Sequence, residues 1–231
     1  RTMNGREAAA PWTVVVPVKP FAVGKSRLAA WAGAQRAALA RSFYLDTLDA
    51  IRGAAPVARV VVVTADAEAA ALARMRGADV VRDRPLGGLN AAVERGVAYA
   101  RTPVSGFSGT TSFSDTMPVA VLTADLPALR SAELRRVLVE ASRHRRAFLA
   151  DHTGRGTTLL AAVRGHALRP EFEGPSRRKH GLSGAVEVRT LGVPSVRLDV
   201  DTVHDLRRAE ELGLGPHTAR IARALTQRIG P

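Results

Sequence analysis

The sequence predicts an α/β protein with a mostly parallel sheet and crossover helices. Short apolar, β-branched runs alternate along the chain with longer segments of helical character, and few long gaps separate them. Such alternation is typical of repeated strand–helix–strand units. The chain has 231 residues, 46% of them hydrophobic, which is enough for one α/β domain or two small ones with a sizeable core.

The elements follow from this alternation in chain order. Eight short apolar runs have the character of strands, and they are predicted at 13–18, 59–64, 79–81, 119–123, 147–150, 158–163, 185–190 and 195–199. The longer segments between and after these runs predict helices at 26–48, 67–76, 88–99, 131–145 and 202–212.

Two segments stand outside the regular alternation. Residues 101–118 are rich in Gly, Ser and Thr and include two prolines, which predicts a surface loop. From residue 216 onward, spaced apolar residues lie among arginines, which fits a short amphipathic helix on the body of the protein or a frayed end. We therefore divide the chain into an N-terminal extension (1–12), one domain (13–215) and a C-terminal tail (216–231).

The formal net charge of +13 raises the question of a polyanionic partner. The basic residues are spread over many helices, and only 10 of the 231 residues are Phe, Trp or Tyr, so aromatic rings for base stacking are scarce. Solvated arginine-rich helix faces explain the charge better than a nucleic-acid interface does. These basic residues include Arg135, Arg136, Arg143, Arg145, Arg146, Arg207, Arg208, Arg220, Arg223 and Arg228.

Composition also narrows the cellular setting. No run approaches 18 consecutive apolar residues, and the first 12 residues lack the apolar region of a secretory signal, so we expect no membrane span and no export. The chain has no cysteine, which excludes disulfides and thiolate metal sites. These features together predict a cytoplasmic protein.

The segment 13–29, TVVVPVKPFAVGKSRLA, is the most informative part of the sequence. An apolar strand leads into a loop with Lys19, Lys25, Ser26 and Arg27, where a helix is predicted to begin. Backbone N–H groups, a helix N-terminus and two ammonium groups in one place favour an anion such as a nucleotide phosphate. Lysine is otherwise rare, with 3 lysines against 31 arginines. An exposed basic loop without a ligand is the alternative interpretation.

This loop does not match the common phosphate-binding pattern G-x-x-x-x-G-K-[ST]. Gly24, Lys25 and Ser26 would form the end of that pattern, but its first glycine would fall at position 19, which is Lys19.

Acidic residues recur directly after predicted strands, at Asp83, Asp125, Asp151, Asp199 and Asp201. Because the carboxyl ends of parallel strands share one edge of a sheet, these carboxylates are expected to converge near the lysine loop. Carboxylates facing a triphosphate would repel it unless a hard divalent cation lies between them. Helix capping is the alternative explanation for Asp125 and Asp201 taken singly.

Six segments then resemble a known family in content and in order. These are VPVKPFAVGKSRLA, RDRPLGGLNAAVERG, VLTADLPAL, GTTLLAA, FEGPSRRKHGLSGA and RLDVDTVHDL, which together span about 14–212. They resemble the guanylyltransferases of deazaflavin coenzyme (F-420) biosynthesis, which join GMP from GTP to phosphoenolpyruvate or 2-phospho-L-lactate. The resemblance implies a single-domain Rossmann-like nucleotidyltransferase fold of the GT-A kind, a three-layer sandwich.

The resemblance also implies the nucleotide and metal sites. The implied triphosphate clamp is Lys19, Lys25, Ser26 and Arg27, and the implied turn beside the nucleotide is Asp83, Gly88, Leu89 and Asn90. Asp125 is the implied principal ligand of Mg²⁺ or Mn²⁺, with Asp199 or Asp201 completing the site. Lys25 and Asp125 are thereby the candidate catalytic residues.

For the acid substrate, the resemblance implies Thr158, the backbone N–H of residue 173 and Ser176, with Lys179 or His180 balancing charge. The sequence departs from the family pattern F-G-P-G-S in this segment, because Glu173 stands where a glycine is expected. An acidic side chain beside a dianionic substrate is unfavourable unless it points away or binds a metal. An ordinary surface histidine is the alternative for His180.

The implied reaction needs no protein nucleophile, since an ionised phosphate of the acid attacks the α-phosphorus of GTP and pyrophosphate leaves. The arginine-rich composition resembles that of actinobacterial proteins. Since the actinobacterial members of the family use phosphoenolpyruvate and the archaeal ones 2-phospholactate, the resemblance implies phosphoenolpyruvate as the acceptor. A downstream transferase that takes the labile product is a further implied partner, and neither nucleic acid nor membrane is expected. Two alternatives remain open at this point: a nucleotidyltransferase with a molybdopterin or sugar-phosphate acceptor, and a non-catalytic polyanion-binding protein.

Overall fold

A computed structural model describes residues 11–84, 86–102 and 117–229. Residues 1–10 of the predicted extension and 103–116 of the predicted loop lie outside these ranges. The strands are β1 (Trp12–Val18), β2 (Val57–Thr64), β3 (Asp79–Arg82), β4 (Val119–Leu122), β5 (Arg146–Ala150), β6 (Thr157–Ala162) and β7 (Val186–Glu187).

The α-helices of the described ranges are α1 (Ala29–Ala32), α2 (Arg36–Arg52), α3 (Ala67–Met75), α4 (Gly88–Ala100), α5 (Ser131–Ala141), α6 (Ser176–Leu182), α7 (Pro194–Arg197), α8 (Val203–Leu212) and α9 (Pro216–Ile229). Two short 3₁₀ helices, Ser26–Leu28 and Gly33–Gln35, flank α1.

The seven strands form one sheet in the order β3-β2-β1-β4-β6-β5-β7. Strand β6 is antiparallel to β4 and β5, and the other neighbouring pairs are parallel. The predicted α/β class and mostly parallel sheet are therefore confirmed. The single antiparallel strand brings the loops at its amino end to the edge where β1 and β4 end.

The sheet separates two apolar layers because successive strand residues point to opposite faces. Val14 and Val16 of β1 belong to the cluster that includes buried residues of α2, α3 and α5. Val15 belongs to the cluster on the other face, which includes α4. Gly96 allows α4 to approach closely, since an added Cβ would lie 2.5 Å from Val15 Cγ1 and 2.6 Å from Val63 Cγ2. The result is the expected three-layer sandwich.

The C-terminal tail forms a helix on the body of the protein. Helix α9 begins beside α2, where the Asp46 carboxylate accepts hydrogen bonds from the backbone N–H groups of His217 (3.0 Å) and Thr218 (2.8 Å). Leu225 is buried in a third apolar cluster that also includes Phe43 of α2 and Leu206 of α8. Of the two alternatives for this segment, the structure has the packed helix.

The predicted strand 195–199 is wrong, because the chain forms the short helix α7 there. Pro194 occupies the first turn, where its fixed φ favours a helix and its missing N–H costs nothing. Ser195 donates its N–H (2.9 Å) and its hydroxyl (2.7 Å) to the buried Glu133 carboxylate instead of to a neighbouring strand.

Three further elements differ from the sequence prediction. The helix predicted over 26–48 is interrupted, since Gly33 has a φ of 51° and α2 starts only at Arg36. Strand 185–190 is reduced to the two residues of β7. Helix α6 was not predicted, because its sequence SRRKHGL has no apolar period to reveal it. No helix in the described ranges is long and apolar enough to cross a lipid bilayer.

Candidate active site

A cleft of about 440 Å³ opens at the edge of the sheet where β1 and β4 end. In open α/β sheets ligands bind at this edge, outside the carboxyl ends of the strands. The loop after β1, the loops after β4 and β5, and the segment leading into α6 all contribute to its walls. These walls include Lys19, Phe21, Lys25, Tyr44, Leu89, Thr123, Asp125, Asp151, Gly156, Thr157, Phe172, Gly174, Ser176, Asp199 and Asp201.

Lys25 occupies the centre of the polar wall. Its Nζ donates hydrogen bonds to Asp125 Oδ2 and to Asp201 Oδ1, the latter at 2.8 Å. Burial favours the neutral amine, but the charges of Asp125 and Asp201 outweigh it and raise the pKa of Lys25. The side chain is only 11% exposed. It is therefore a fixed cation in the wall of the cleft.

The backbone of the lysine loop is held from two sides. Lys25 itself has a left-handed conformation with φ 58°, which is uncommon for a residue with a Cβ. Arg36, the first residue of α2, donates to the carbonyl oxygens of Gly24 and Ala22. The Phe21 N–H donates to Asp66 Oδ2 at 2.9 Å. These contacts fix the loop that carries Lys25, and Arg36 was not singled out from the sequence.

The other predicted clamp residues are less central. Lys19 is exposed and lines the cleft. Ser26 and Arg27 are exposed in the 3₁₀ helix that follows the loop, and neither is part of the cleft wall. The structure thus brings two of the four predicted clamp residues, both lysines, to the cleft.

Four of the five carboxylates that were predicted to converge, Asp125, Asp151, Asp199 and Asp201, line the cleft that contains Lys25, whereas Asp83 does not. Burial first, and then the charges of Asp125, Asp201 and Asp151, raise the pKa of Asp199 to about 8. Helix capping does not account for the group: Thr202 caps α8 together with Asp205, and the N-cap of α5, the next helix after Asp125, is Arg130. Asp125 and Asp201 instead face Lys25.

The oxygen atoms of this cluster fit a hard divalent cation. Asp125 Oδ1 is buried and has no hydrogen-bond partner in the part of the chain that the structure describes. Carboxylate oxygens are the preferred ligands of Mg²⁺ and Mn²⁺. Within the described ranges no three acidic or histidine side chains are arranged to hold an ion as they stand. Asp125, Asp199 and Asp201 therefore offer the right donors, while Lys25 holds two of them.

His152 adds a contact behind the cluster that sequence reasoning missed. Its Nδ1 lies 3.3 Å from Asp199 Oδ1, and its Nε2 lies 3.1 Å from Asp205 Oδ1. The imidazole therefore connects Asp199 to the first turn of α8, which fixes the direction of the Asp199 carboxylate. The histidine follows Asp151 directly in the sequence, and this adjacency is the signal by which it could have been found.

The predicted nucleotide turn is divided between the cleft and its support. Leu89 lines the cleft, and Gly88 begins α4 with a φ of 83°. Asn90 Oδ1 accepts a hydrogen bond from the Phe172 N–H at 2.8 Å, so it holds the segment before α6. The Asp83 carboxylate is paired with Arg95 of α4. Asn90 and Asp83 thus shape the turn.

Glu173 lies beside this turn. Its Oε1 is 2.7 Å from the position that a Cβ at residue 88 would take, so the glycine leaves room for the carboxylate. The side chain is exposed and stands at the amino end of α4, where the helix dipole favours negative charge. Gly174 and Ser176 line the cleft instead. Glu173 therefore lies outside the cleft wall, which its neighbours Gly174 and Ser176 form.

Of the two adjacent threonines on β6, Thr157 reaches the cleft. Thr158, the residue that the resemblance indicated, is fully buried, and its Oγ1 has no partner among the described residues. Thr157 lines the cleft and its Oγ1 lies 3.0 Å from His180 Nδ1. Neighbouring strand residues point to opposite faces, so only one of the pair faces the cleft. The sequence alone does not say which.

His180 and Lys179 do not act as a pair of surface cations. His180 is completely buried, and burial, with smaller effects of Arg146 and Lys179, lowers its pKa to about 4. Lys179 is half-exposed, and its Nζ lies 3.8 Å from Glu171 Oε2. Neither the surface-histidine interpretation nor a charge-balancing role for His180 agrees with this geometry.

Comparison with known proteins identifies the family. The family model described as "Guanylyl transferase CofC like" matches residues 12–225. A phosphoenolpyruvate guanylyltransferase of Streptomyces coelicolor is 50% identical over 217 residues, which cover 93% of this chain and 97% of that protein. A phosphoenolpyruvate guanylyltransferase of Thermomonospora curvata is 44% identical over 221 residues, covering 95% and 92%.

Solved structures with low sequence identity share the fold. A putative nucleotide-diphospho-sugar transferase from Desulfovibrio desulfuricans has a TM-score of 0.67 at 17% identity, with 95% of this chain and 98% of that chain covered. A Mycobacterium tuberculosis protein solved as a complex with manganese has a TM-score of 0.52 at 23% identity, with 88% and 100% covered. The family model matches nearly the whole chain, and a relative covering 93% of it is 50% identical in sequence. The protein therefore belongs to the CofC-like guanylyl transferase family.

Proposed function

We propose that the protein transfers GMP from GTP to phosphoenolpyruvate and releases pyrophosphate. One observation carries the proposal: a single cleft joins a basic and acidic end, with Lys25 and the carboxylate cluster, to an end lined by Gly156, Thr157, Gly174 and Ser176. The first end suits a triphosphate with a metal ion, and the second suits a small anion. The names of the relatives support the same choice of donor and acceptor.

We propose that Lys25 and Lys19 bind the triphosphate of GTP. Lys25 stays protonated because Asp125 and Asp201 surround it. Their hydrogen bonds compensate for the burial of its charge in the protein itself, so nucleotide binding does not have to. Such a preorganised cation stabilises the negative charge that develops on the departing pyrophosphate. Leu89 contributes an apolar surface on the same wall.

We further propose that Asp125, Asp199 and Asp201 hold Mg²⁺ or Mn²⁺. The buried, unpartnered Oδ1 of Asp125 and the crowding that raises the pKa of Asp199 support these ligands. When bound, the ion supplies positive charge to the phosphates that flank the reacting phosphorus. His152 keeps Asp199 in place through its 3.3 Å contact.

The acceptor is bound by Thr157 in place of Thr158, together with Ser176 and the backbone of Gly174, in this proposal. Hydroxyl and N–H donors suit the phosphate and carboxylate of a three-carbon acid better than a sugar or a pterin ring. A phosphate oxygen of the acid then attacks the α-phosphorus of GTP in line. The new P–O bond forms as the bond to the β-phosphate breaks, so the protein supplies position and charge.

The substrate test offers GTP and Mg²⁺ with phosphoenolpyruvate, 2-phospho-L-lactate or 3-phosphoglycerate and compares kcat/KM, with mass detection of the products. We expect phosphoenolpyruvate to be preferred and 2-phospho-L-lactate to react measurably, because the two nearly isosteric acids differ by about 1 to 3 kcal/mol at most in such a pocket. No guanylylated product from any of the three acids would overturn the acceptor assignment. A product from 3-phosphoglycerate alone would direct attention to Glu173.

We also propose a setting for the reaction. The absence of cysteine and the nature of the substrates fit the cytoplasm. The product is labile, so a downstream transferase that consumes it directly is the partner we expect. Loss of product in a coupled assay with a physically separated acceptor enzyme, and its recovery on mixing, would test that partnership.

A further inference from the structure

Behind the acceptor end of the cleft lies a buried histidine that the proposed mechanism has not used. His180 of α6 has no exposed surface, and its ring lies between Phe148 and Phe172, with ring centroids at 5.8 and 5.1 Å. Both of its ring nitrogens have polar partners on the two walls of the acceptor pocket. One wall is the start of β6 and the other is the segment before α6.

The hydrogen bonds of this ring determine its tautomer. The backbone N–H of Glu171 donates to His180 Nε2 at 3.0 Å, so Nε2 carries the lone pair. The ring is neutral, since burial lowers the pKa of His180 to about 4. A neutral imidazole has one N–H, which must then be on Nδ1. Nδ1 therefore donates to Thr157 Oγ1, 3.0 Å away.

The direction of this bond in turn orients the threonine. Thr157 Oγ1 accepts from His180, so its own hydroxyl proton must go to another acceptor. In the described ranges the structure gives Thr157 Oγ1 no second partner, and the residue lines the cleft. Its hydroxyl is thus left as a donor at the acceptor end of the site, where an anion is expected.

We propose that His180 is a positioning residue that fixes the Thr157 hydroxyl as a hydrogen-bond donor to the anionic acceptor. The same ring also accepts from the Glu171 N–H, in a segment that Asn90 holds independently through the Phe172 N–H. The inference rests on the proposed function for the chemical nature of the acceptor, a small phosphorylated acid. It assigns to a buried side chain the role of presenting the Thr157 hydroxyl to the acceptor as a donor.

Two conservative variants separate the two bonds of His180. In His180→Asn the amide nitrogen replaces Nδ1 and keeps the donor to Thr157, but the partner of the Glu171 N–H is lost. In His180→Gln the amide oxygen takes the place of Nε2 and accepts from Glu171, but the donor to Thr157 is lost. Thr157→Val removes the hydroxyl at nearly constant shape, and Thr157→Ser retains it as the matched control.

Steady-state kinetics with GTP and phosphoenolpyruvate test the proposal. We expect His180→Gln and Thr157→Val each to raise the KM for phosphoenolpyruvate about 10-fold, with the KM for GTP unchanged and a smaller effect on kcat. His180→Asn and Thr157→Ser should change it by less than about 3-fold. The double variant His180→Gln/Thr157→Val should be no worse than Thr157→Val, because both changes remove the same bond. Additive effects, or a larger loss in His180→Asn than in His180→Gln, would overturn the proposal.

Two readouts keep this result separate from the proposed function. Long-range ¹H–¹⁵N correlation spectra of the full chain should show His180 as the Nδ1–H tautomer, identified by loss of its signals in His180→Gln, and an Nε2–H tautomer would refute the positioning role. Calorimetry with phosphoenolpyruvate on the Mg²⁺- and GTP-analogue-bound protein measures acceptor binding without turnover.

If the wild type forms no product from any acid, the proposed function fails. If it turns over normally and His180→Gln equals the wild type, only this inference fails.

Discussion

At the scale of residues, lysine is rare in this chain: only three of its 34 basic residues are lysines, and two of them, Lys19 and Lys25, line the cleft. The structure gives a physical reason for lysine at position 25. An ammonium is a compact charge that fits between Asp125 and Asp201, whereas a planar guanidinium needs the wider geometry of a bidentate pair. What the sequence did not reveal is that these two carboxylates are the hydrogen-bond partners of that lysine.

Asp125→Asn tests the metal ligand. We expect kcat to fall at least about 100-fold, which corresponds to about 3 kcal/mol of transition-state stabilisation, because a neutral amide replaces the carboxylate charge. The melting temperature should change little, since the residues are isosteric and Lys25 keeps Asp201. Asp79→Asn is the control, as Asp79 forms an ion pair with Arg59 that is remote from the cleft wall. Wild-type turnover of Asp125→Asn at saturating Mg²⁺ would remove Asp125 from the site.

Lys25→Ala tests the triphosphate clamp. The KM for GTP should rise, or turnover fall, by about 10-fold or more, while binding of the acid is largely unchanged, because the charge is lost from one substrate's site only. Arg27→Ala is the matched control, since Arg27 is two residues away, exposed and outside the cleft wall. Equal kinetics for the two variants would favour the solvated-loop interpretation.

His180 predicts a pH dependence of stability. Its pKa is lowered from 6.5 to about 4 in the folded state, so the unfolded chain binds more protons in this interval. The neutral form contributes stability that is fully present above pH 6.5 and is lost as the pH falls toward 4. Urea unfolding between pH 4 and 7 should show a steeper fall for the wild type than for His180→Asn. Parallel profiles would show that the buried imidazole does not resist protonation.

At the scale of elements, the alternating pattern predicted most strands and the crossover helices, since their buried faces repeat with the period of the element. It failed where a tertiary contact chose the conformation. The sequence predicts a strand over residues 195–199, but Ser195 donates to the buried carboxylate of Glu133, and Pro194 starts a helical turn. Helix α6 has no apolar period, and it is held by the packing of His180 and Ser176.

A pair of glycines tests how closely α4 approaches the sheet. Gly96→Ala would place a Cβ 2.5 Å from Val15 and 2.6 Å from Val63, so we expect a loss of about 1 to 3 kcal/mol in the free energy of unfolding. Gly181→Ala is the control within α6, where no heavy atom lies within 4 Å of the added Cβ. There alanine should be neutral or stabilise by up to about 1 kcal/mol. Similar values for both variants in urea unfolding would contradict the close approach.

At the scale of the whole molecule, the net charge of +13 is the basis of the polyanion-binding alternative, and the salt dependence of DNA binding tests it. We expect binding to duplex DNA to be weak and to disappear between about 50 and 200 mM salt, because it depends on counterion release. Formation of the guanylylated product should persist over the same range, since Lys25 is buried between two carboxylates and is screened little. Measuring both on one preparation checks this. Tight DNA binding at about 200 mM salt would revive the alternative.

The sequence by itself determined the fold class, the lysine loop, the recurrence of acids after strands, and through the resemblance the family, which the comparison confirmed. These features are local: a period, a spacing or a motif carries each of them. The tertiary structure decided which side chains meet. Whether Thr157 or Thr158 faces the cleft depends on the register of β6, and the burial of His180 depends on how α6 packs against Phe148 and Phe172. Pairings between residues far apart in the chain leave no local pattern, so only the folded structure shows them.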